Sequence, residues 1–90
     1  MKGKLKNGFA YNINDKALKS FEFMEVLSQA EDNPIHYVKA FEIILGKEQK
    51  EKLMDYLKED GYTGAEKMTE ALMEIIESSQ KLKNSQSSPE

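Results

Sequence analysis

Residues 33–46 of the chain read NPIHYVKAFEIILG, and this stretch decides the fold because it contains signals for both ends of a helix. Asn33 suits the N-cap, and Pro34 suits the first helical position, where its missing N–H costs nothing. Gly46 suits the position just beyond the last turn. The wide apolar arc between them predicts a helix that is central to the fold; it comprises Tyr37, Val38, Ala40, Phe41, Ile44 and Leu45.

Helical periodicity predicts three further helices around this one. One precedes it, from about Leu18 or Ser20 to about Ala30, and another follows it, from about Lys47 to Glu59, with Gly61 at its end. Thr63-Gly64-Ala65-Glu66 fits a capping box that opens a last helix, which ends near residue 80. The predicted apolar faces hold, in order, Phe23, Met24, Val26, Leu27 and Ala30; Leu53, Met54, Tyr56 and Leu57; and Ala65, Met68, Leu72, Ile75 and Ile76.

A short hairpin is predicted ahead of the helices. Lys4-Leu5-Lys6 and Phe9 to Ile13 flank Asn7-Gly8, a pair that favours a type I′ turn, and apolar side chains alternate along the second strand. Residues 81–90 are polar and serine-rich, so we predict a disordered tail there. The predicted fold is mostly α: a single domain over residues 1–80, built as a small bundle of about four helices with a short N-terminal β-hairpin.

Composition narrows the function mainly by exclusion. The 90 residues include no cysteine and one histidine, so no disulfide, thiol nucleophile or ordinary zinc site is expected. A net charge of −3 argues against non-specific nucleic-acid binding. The longest apolar run, Ile43–Leu45, is too short to cross a bilayer. Phosphate-binding loops, nucleophile elbows and EF-hand loops are absent from the sequence, so we predict no enzyme and no cofactor.

The sequence predicts more apolar helix surface than the interior needs. Ile35, Ile43 and Met73 fall at helical angles where solvent is expected. Either other elements cover them, or they belong to a groove that binds an amphipathic helix. The glutamates at 66, 70, 74 and 77 form a face that is either solvated or meets a basic partner. The protein-binding residues predicted from the helical wheel are Ile35, Tyr37, Phe41, Ile43 and Met73.

The order of several segments resembles a known family. The strand Gly8–Ile13 leads into residues 15–25, an Asn33-Pro34 break follows, and a helix ends in Ile43-Ile44-Leu45-Gly46-Lys47-Glu48-Gln49. The last helix, with Ala71–Glu77, precedes the serine-rich residues 83–89. This order, over nearly the whole chain, resembles the small tail assembly chaperones of siphophages and prophages, especially those of Gram-positive hosts.

The resemblance implies a role in assembling phage tails. Chaperones of this kind bind the tape measure protein before the tail tube polymerises around it, and they are expected in the host cytoplasm but not in the mature virion. A longer, frameshifted form often recruits the major tail (tube) protein, and Leu82-Lys83-Asn84 is compatible with a slippery codon run. A virion connector subunit and a small antitoxin-like regulator are the alternatives. Whether the chain forms a homo-oligomer is left open.

Overall fold

The computed structural model describes the backbone of residues 1–87 and the side chains of residues 1–79. Its helices are α1 (Asp15–Leu18), α2 (Phe21–Asp32), a 3₁₀ turn (Pro34–His36), α3 (Tyr37–Leu57) and α4 (Ala65–Ser87). Its strands form two antiparallel hairpins, β1 (Lys2–Lys4) with β2 (Ala10–Asn12) and β3 (Lys58–Glu59) with β4 (Tyr62–Thr63). The predicted fold class, a mostly helical bundle of about four helices with a short N-terminal hairpin, is confirmed.

The N-terminal hairpin has the predicted strands but a different turn. Gly3 lies opposite Tyr11, and Leu5 N donates to Phe9 O, so the loop holds three residues, 6–8. Gly8 N donates to Leu5 O, and Gly8 alone has positive φ (103°). This is a type I turn followed by a left-handed glycine, so the predicted type I′ turn is wrong. The predicted alternation is confirmed, since Tyr11 and Ile13 are buried while Ala10 and Asn12 are exposed.

Two short polar caps define the start of the helical region. Asn14 Oδ1 accepts a hydrogen bond from Ala17 N and opens α1, a single turn that the periodicity did not predict. Ser20 Oγ accepts from Phe23 N and opens α2, close to the predicted start. Phe23 and Ala30 are buried as predicted, but Met24 is exposed because the covered stripe of α2 is narrower than the predicted face. Phe21, the first residue of α2, is 77% exposed.

Gly46 bends α3 into two limbs. Asn33 caps the preceding 3₁₀ turn through Ile35 N, and Pro34 stands at its start, as the sequence predicted. Gly46 has φ 83° and ψ 161°, which no helix accommodates, and the helix resumes immediately after it. The two predicted helices are therefore the limbs of α3, residues 37–45 and 47–57, with no loop between them. The second limb ends at Leu57, two residues before the predicted end.

A second hairpin, which the sequence analysis did not predict, joins α3 to α4. Lys58 pairs with Thr63 and Glu59 with Tyr62, across a two-residue turn in which Asp60 (φ 54°) and Gly61 (φ 85°) both have positive φ. These angles define the type I′ turn that Asp-Gly pairs favour. Gly61 therefore lies in a turn rather than at a helix end. The capping box is also wrong: Thr63 lies in β4, and its hydroxyl bonds to Met54 O at 2.8 Å instead of to the first turn of α4.

One core joins the hairpin to α2, α3 and α4. Its largest fully buried side chains are Phe41, Ile44, Leu53, Leu72 and Ile75. The predicted tail over residues 81–90 stays a prediction: helical backbone extends to Ser87, but side chains from residue 80 onward and all of residues 88–90 lie outside the described residues.

Candidate functional site

An open apolar groove lies where the bend of α3 meets α4. The groove encloses about 220 Å³. The 3₁₀ turn, both limbs of α3, β4 and the first turns of α4 line it. The lining residues are Pro34, Tyr37, Val38, Phe41, Lys50, Met54, Thr63, Ala65, Met68 and Thr69. We name this surface the α3–α4 groove. It exists because Gly46 lets both limbs of one helix contribute to a single concave surface.

The groove is apolar from its floor to its rim. Phe41 is buried and forms part of the core beneath it, while Tyr37 and Met68 are half-buried against that core. Val38 is 52% exposed and Met54 is 38% exposed. Burying such side chains against apolar side chains of a partner is favourable, at about 25 cal/mol for each Å² removed from water. The arrangement can therefore bind an apolar ridge of another molecule.

A half-buried ion pair fixes the bend on one side of the groove. Lys50 Nζ lies 2.8 Å from Glu42 Oε2, and the Lys50 side chain is only 12% exposed. The hydrogen bond from Lys50, helped by the charges of Lys50, Lys47 and Lys39, lowers the pKa of Glu42 below its usual value of 4.5. The pair links one limb of α3 to the other across Gly46. The only charged group in the lining is thus already neutralised.

The two threonine hydroxyl groups of the groove bond to the protein's own backbone. Thr63 Oγ1 donates to Met54 O at 2.8 Å, and Thr69 Oγ1 donates to Ala65 O at 3.0 Å. Each hydroxyl proton is therefore committed within the chain, and what both residues add to the groove is mainly a methyl group. Apart from the Tyr37 hydroxyl, the lining offers few polar groups to a partner, so recognition in the α3–α4 groove depends mainly on shape and apolar contact.

The structure distributes the five predicted binding residues over several places. Tyr37 and Phe41 line the groove, although Phe41 is only 2% exposed and belongs to the core. Ile35 follows the lining residue Pro34 and is 69% exposed. Met73 lies one turn beyond Thr69 on the same stripe of α4. Ile43 lies elsewhere, half-buried in a depression beside Asn12, Ile13 and Gly46.

Sequence reasoning missed three groove residues: Val38, Met54 and Met68. All three were assigned to apolar helix faces that pack inward, and none of them is buried in the core. The signal in the sequence was that the largely polar second limb begins directly after Gly46, with no loop between the limbs. The second limb buries one residue fully, Leu53, so it cannot cover every apolar side chain of the first limb.

A second apolar depression lies between α1, α2 and α4. It is lined by Leu18, Lys19, Phe23, Met24, Leu27, Ile76 and Ser79. Exposed apolar side chains flank it on α2, namely Phe21 and Met24. Its lining includes a lysine and a serine, and α4 continues past it into residues whose side chains are not described. The α3–α4 groove is therefore the better-defined candidate.

His36 ends the 3₁₀ turn, where its backbone N–H donates to Asn33 O. Within residues 1–79, no cluster of three or more histidine, aspartate or glutamate side chains is placed to hold a metal ion. None of the helices that the structure describes combines the length and apolar character of a membrane crossing.

The glutamate face of α4 is only partly solvated. Glu66, Glu70 and Glu77 are exposed, as one of the two interpretations of the sequence held. Glu74 is half-buried instead, and its Oε2 accepts a hydrogen bond from Lys6 N at 2.6 Å. This contact ties the turn of the first hairpin to α4.

Comparison of the chain with protein-family models, curated proteins and solved structures found no match.

Proposed function

We propose that this protein is a tail assembly chaperone of a tailed bacteriophage and that its α3–α4 groove binds helical segments of the tape measure protein. The single observation that carries the proposal is an apolar groove with exposed Val38 and Met54 on its rim. The order of segments that resembles such chaperones supplies the identity of the partner. Tape measure binding is thus the joint prediction of a surface and a resemblance.

The size of the groove supports a protein partner. Pockets for small molecules enclose roughly 300–1,000 Å³ and contain a few precisely placed polar groups. The α3–α4 groove encloses about 220 Å³, and its two threonine hydroxyl groups bond to backbone carbonyls. Such a groove accepts a few side chains of an amphipathic helix, spaced one turn apart, rather than an entire ligand.

The chemistry of the lining supports binding to many similar segments. Two of the groove's side chains are the unbranched thioethers of Met54 and Met68. Methionine adapts its shape to different neighbours, which is why it is common at surfaces that bind several sequences. A long helical protein presents many related apolar stripes, and covering them prevents aggregation before the tube forms.

The remaining parts of the proposal follow from this role. The chain acts in the cytoplasm of the bacterial host, helps to bring tail tube subunits to the tape measure protein, and is absent from the mature virion. Mass spectrometry of purified particles tests the last point: detection of the chain there in stoichiometric amount would favour a connector subunit. Salt-sensitive binding to DNA fragments would favour the antitoxin-like regulator.

The groove itself is tested by introducing a lysine on each of the two apolar surfaces. Val38→Lys and Met54→Lys introduce charges at exposed positions of the groove, so the fold is retained while apolar partner contacts are lost. Met24→Lys is the matched control, since Met24 is exposed on the second depression. Calorimetry with helical tape measure fragments should show binding at least about tenfold weaker for the groove variants and unchanged binding for the control. Equal loss in all three variants, or none, contradicts the assignment.

A further inference from the structure

The outer edge of β1 carries main-chain groups that the hairpin does not use. Ile13 N donates to Met1 O and Leu5 N donates to Phe9 O, so residues 1, 3 and 5 direct their hydrogen-bonding groups toward β2. In an antiparallel ladder the alternate residues direct theirs outward. The N–H and C=O groups of Lys2 and Lys4 therefore face away from β2, and among the described residues none bonds to them.

The opposite edge of the same hairpin is covered at Asn12. The side-chain amide of Gln49 makes two hydrogen bonds to the main chain of Asn12: Asn12 N donates to Oε1 and Nε2 donates to Asn12 O, both at 2.8 Å. A glutamine thus occupies the place that a further strand would take. In the part of the chain that the structure describes, the β1 edge is left open to an added strand.

Charge determines what the open edge can accept. Lys2 and Lys4 are exposed on the solvent face of the hairpin, and Lys6 follows at the same spacing. A second copy of β1 pairing antiparallel about Gly3 would place lysine opposite lysine, which is unfavourable. A carboxylate is compatible with this edge, because Glu74 already accepts a hydrogen bond from the main-chain N–H of Lys6.

We propose that the open edge of β1 is a second binding site, which takes an extended acidic segment of a partner protein as an added antiparallel strand. The main chain of the segment pairs with the outward groups of Lys2 and Lys4. Its acidic side chains lie opposite the two lysines on the solvent face. This site is separate from the α3–α4 groove and uses β-strand addition in place of helix binding.

The test uses the untagged full chain and a capped peptide in which glutamate alternates with valine. Heteronuclear NMR should show peptide-dependent shifts and slowed hydrogen exchange at the amides of Lys2 and Lys4. The double variant Lys2→Glu with Lys4→Glu should bind the glutamate peptide roughly tenfold more weakly than the wild type does. It should instead prefer the matched peptide in which lysine replaces glutamate. Lys16→Glu with Lys52→Glu, which moves the net charge equally at exposed helical positions, should leave the affinity unchanged.

A second variant separates strand addition from simple charge attraction. Lys4→Pro removes one outward N–H without removing a bond of the ladder, and proline is tolerated on edge strands. It should weaken binding, whereas Lys4→Gln, which retains the N–H, should weaken it less. Binding that is unaffected by proline, that follows net charge alone, or that leaves the Lys2 and Lys4 amides unchanged overturns the proposal.

Discussion

The two hairpins of this protein form in different ways. The first places Tyr11 and Ile13 in the core and is bonded to the helices by side chains that include Gln49, Tyr56 and Glu74. The second, β3–β4, has only two residue pairs, and Tyr62 on it is 81% exposed. Both contain a residue pair that favours a type I′ turn, yet only the second forms one.

The difference shows when local turn preference prevails. In the first hairpin, the register places Tyr11 over Gly3 and buries Ile13, and a slip of one residue would expose both side chains. Burial therefore selects the three-residue loop in spite of Asn7-Gly8. In the second hairpin little is buried, so the Asp60-Gly61 preference acts without opposition.

The largest effect is expected from removing the buried anchor of the first hairpin. Ile13→Ala leaves a cavity among core side chains and should lower the free energy of unfolding by about 3 kcal/mol. Ala10→Gly on the exposed face of the same strand is the control for strand propensity alone, with an expected cost below about 1 kcal/mol. Urea denaturation measures both; similar losses would mean that burial does not fix this hairpin.

Matched alanine substitutions compare the two turn glycines. Gly8 and Gly61 both have positive φ, so alanine strains the backbone at each. At Gly8 the added Cβ also lies 3.0 Å from Tyr56 Oη, which donates a hydrogen bond to Asn7 O, whereas at Gly61 no atom lies within 4 Å. Gly8→Ala should therefore cost about 2 kcal/mol and Gly61→Ala about 1 kcal/mol. Equal costs in urea denaturation would show that the Tyr56 contact contributes nothing.

Much of the fold was predictable because it depends on local signals. Ser20, Asn33-Pro34 and Gly46 fix helix ends through short-range hydrogen bonds and backbone angles, and the structure confirms each of them. The second hairpin was missed although Asp60-Gly61 is a strong turn signal, because helical periodicity up to Glu59 was given more weight. The direction in which the second limb leaves Gly46 depends on tertiary packing, which no local pattern records.

The candidate site was less predictable than the fold. A helical wheel identifies apolar residues but not which of them another element covers, so Phe41 and Val38 were given the wrong degree of exposure. The α3–α4 groove arises from the bend at Gly46 and from the position of α4 beside it. Both are relations between elements that are distant in the sequence.

A smaller effect is expected from uncovering the edge of the first hairpin at Asn12. Gln49→Ala removes two hydrogen bonds to Asn12 and one to Leu45 O, and water can replace part of them at this exposed edge, so the cost should be about 1 kcal/mol. Gln49→Glu retains the acceptor for Asn12 N but sets a carboxylate oxygen against the carbonyl oxygens of Asn12 and Leu45, so it should cost at least as much as alanine. Hydrogen exchange at the Asn12 amide should accelerate in Gln49→Ala, and an unchanged rate would contradict this role.

The smallest effect is expected at the tip of the second hairpin. Tyr62→Ser removes a large aromatic side chain from a strand residue that is 81% exposed, so the free energy of unfolding should change by less than about 0.5 kcal/mol. Tyr56→Phe, which removes a single hydroxyl from the first hairpin's contact with Asn7 O, should cost more, about 1 kcal/mol. Calorimetric unfolding measures which of the two substitutions costs more stability. If losing a whole ring at Tyr62 were worse than losing one hydroxyl at Tyr56, the second hairpin would also be fixed by packing, and the contrast between burial and turn chemistry would fail.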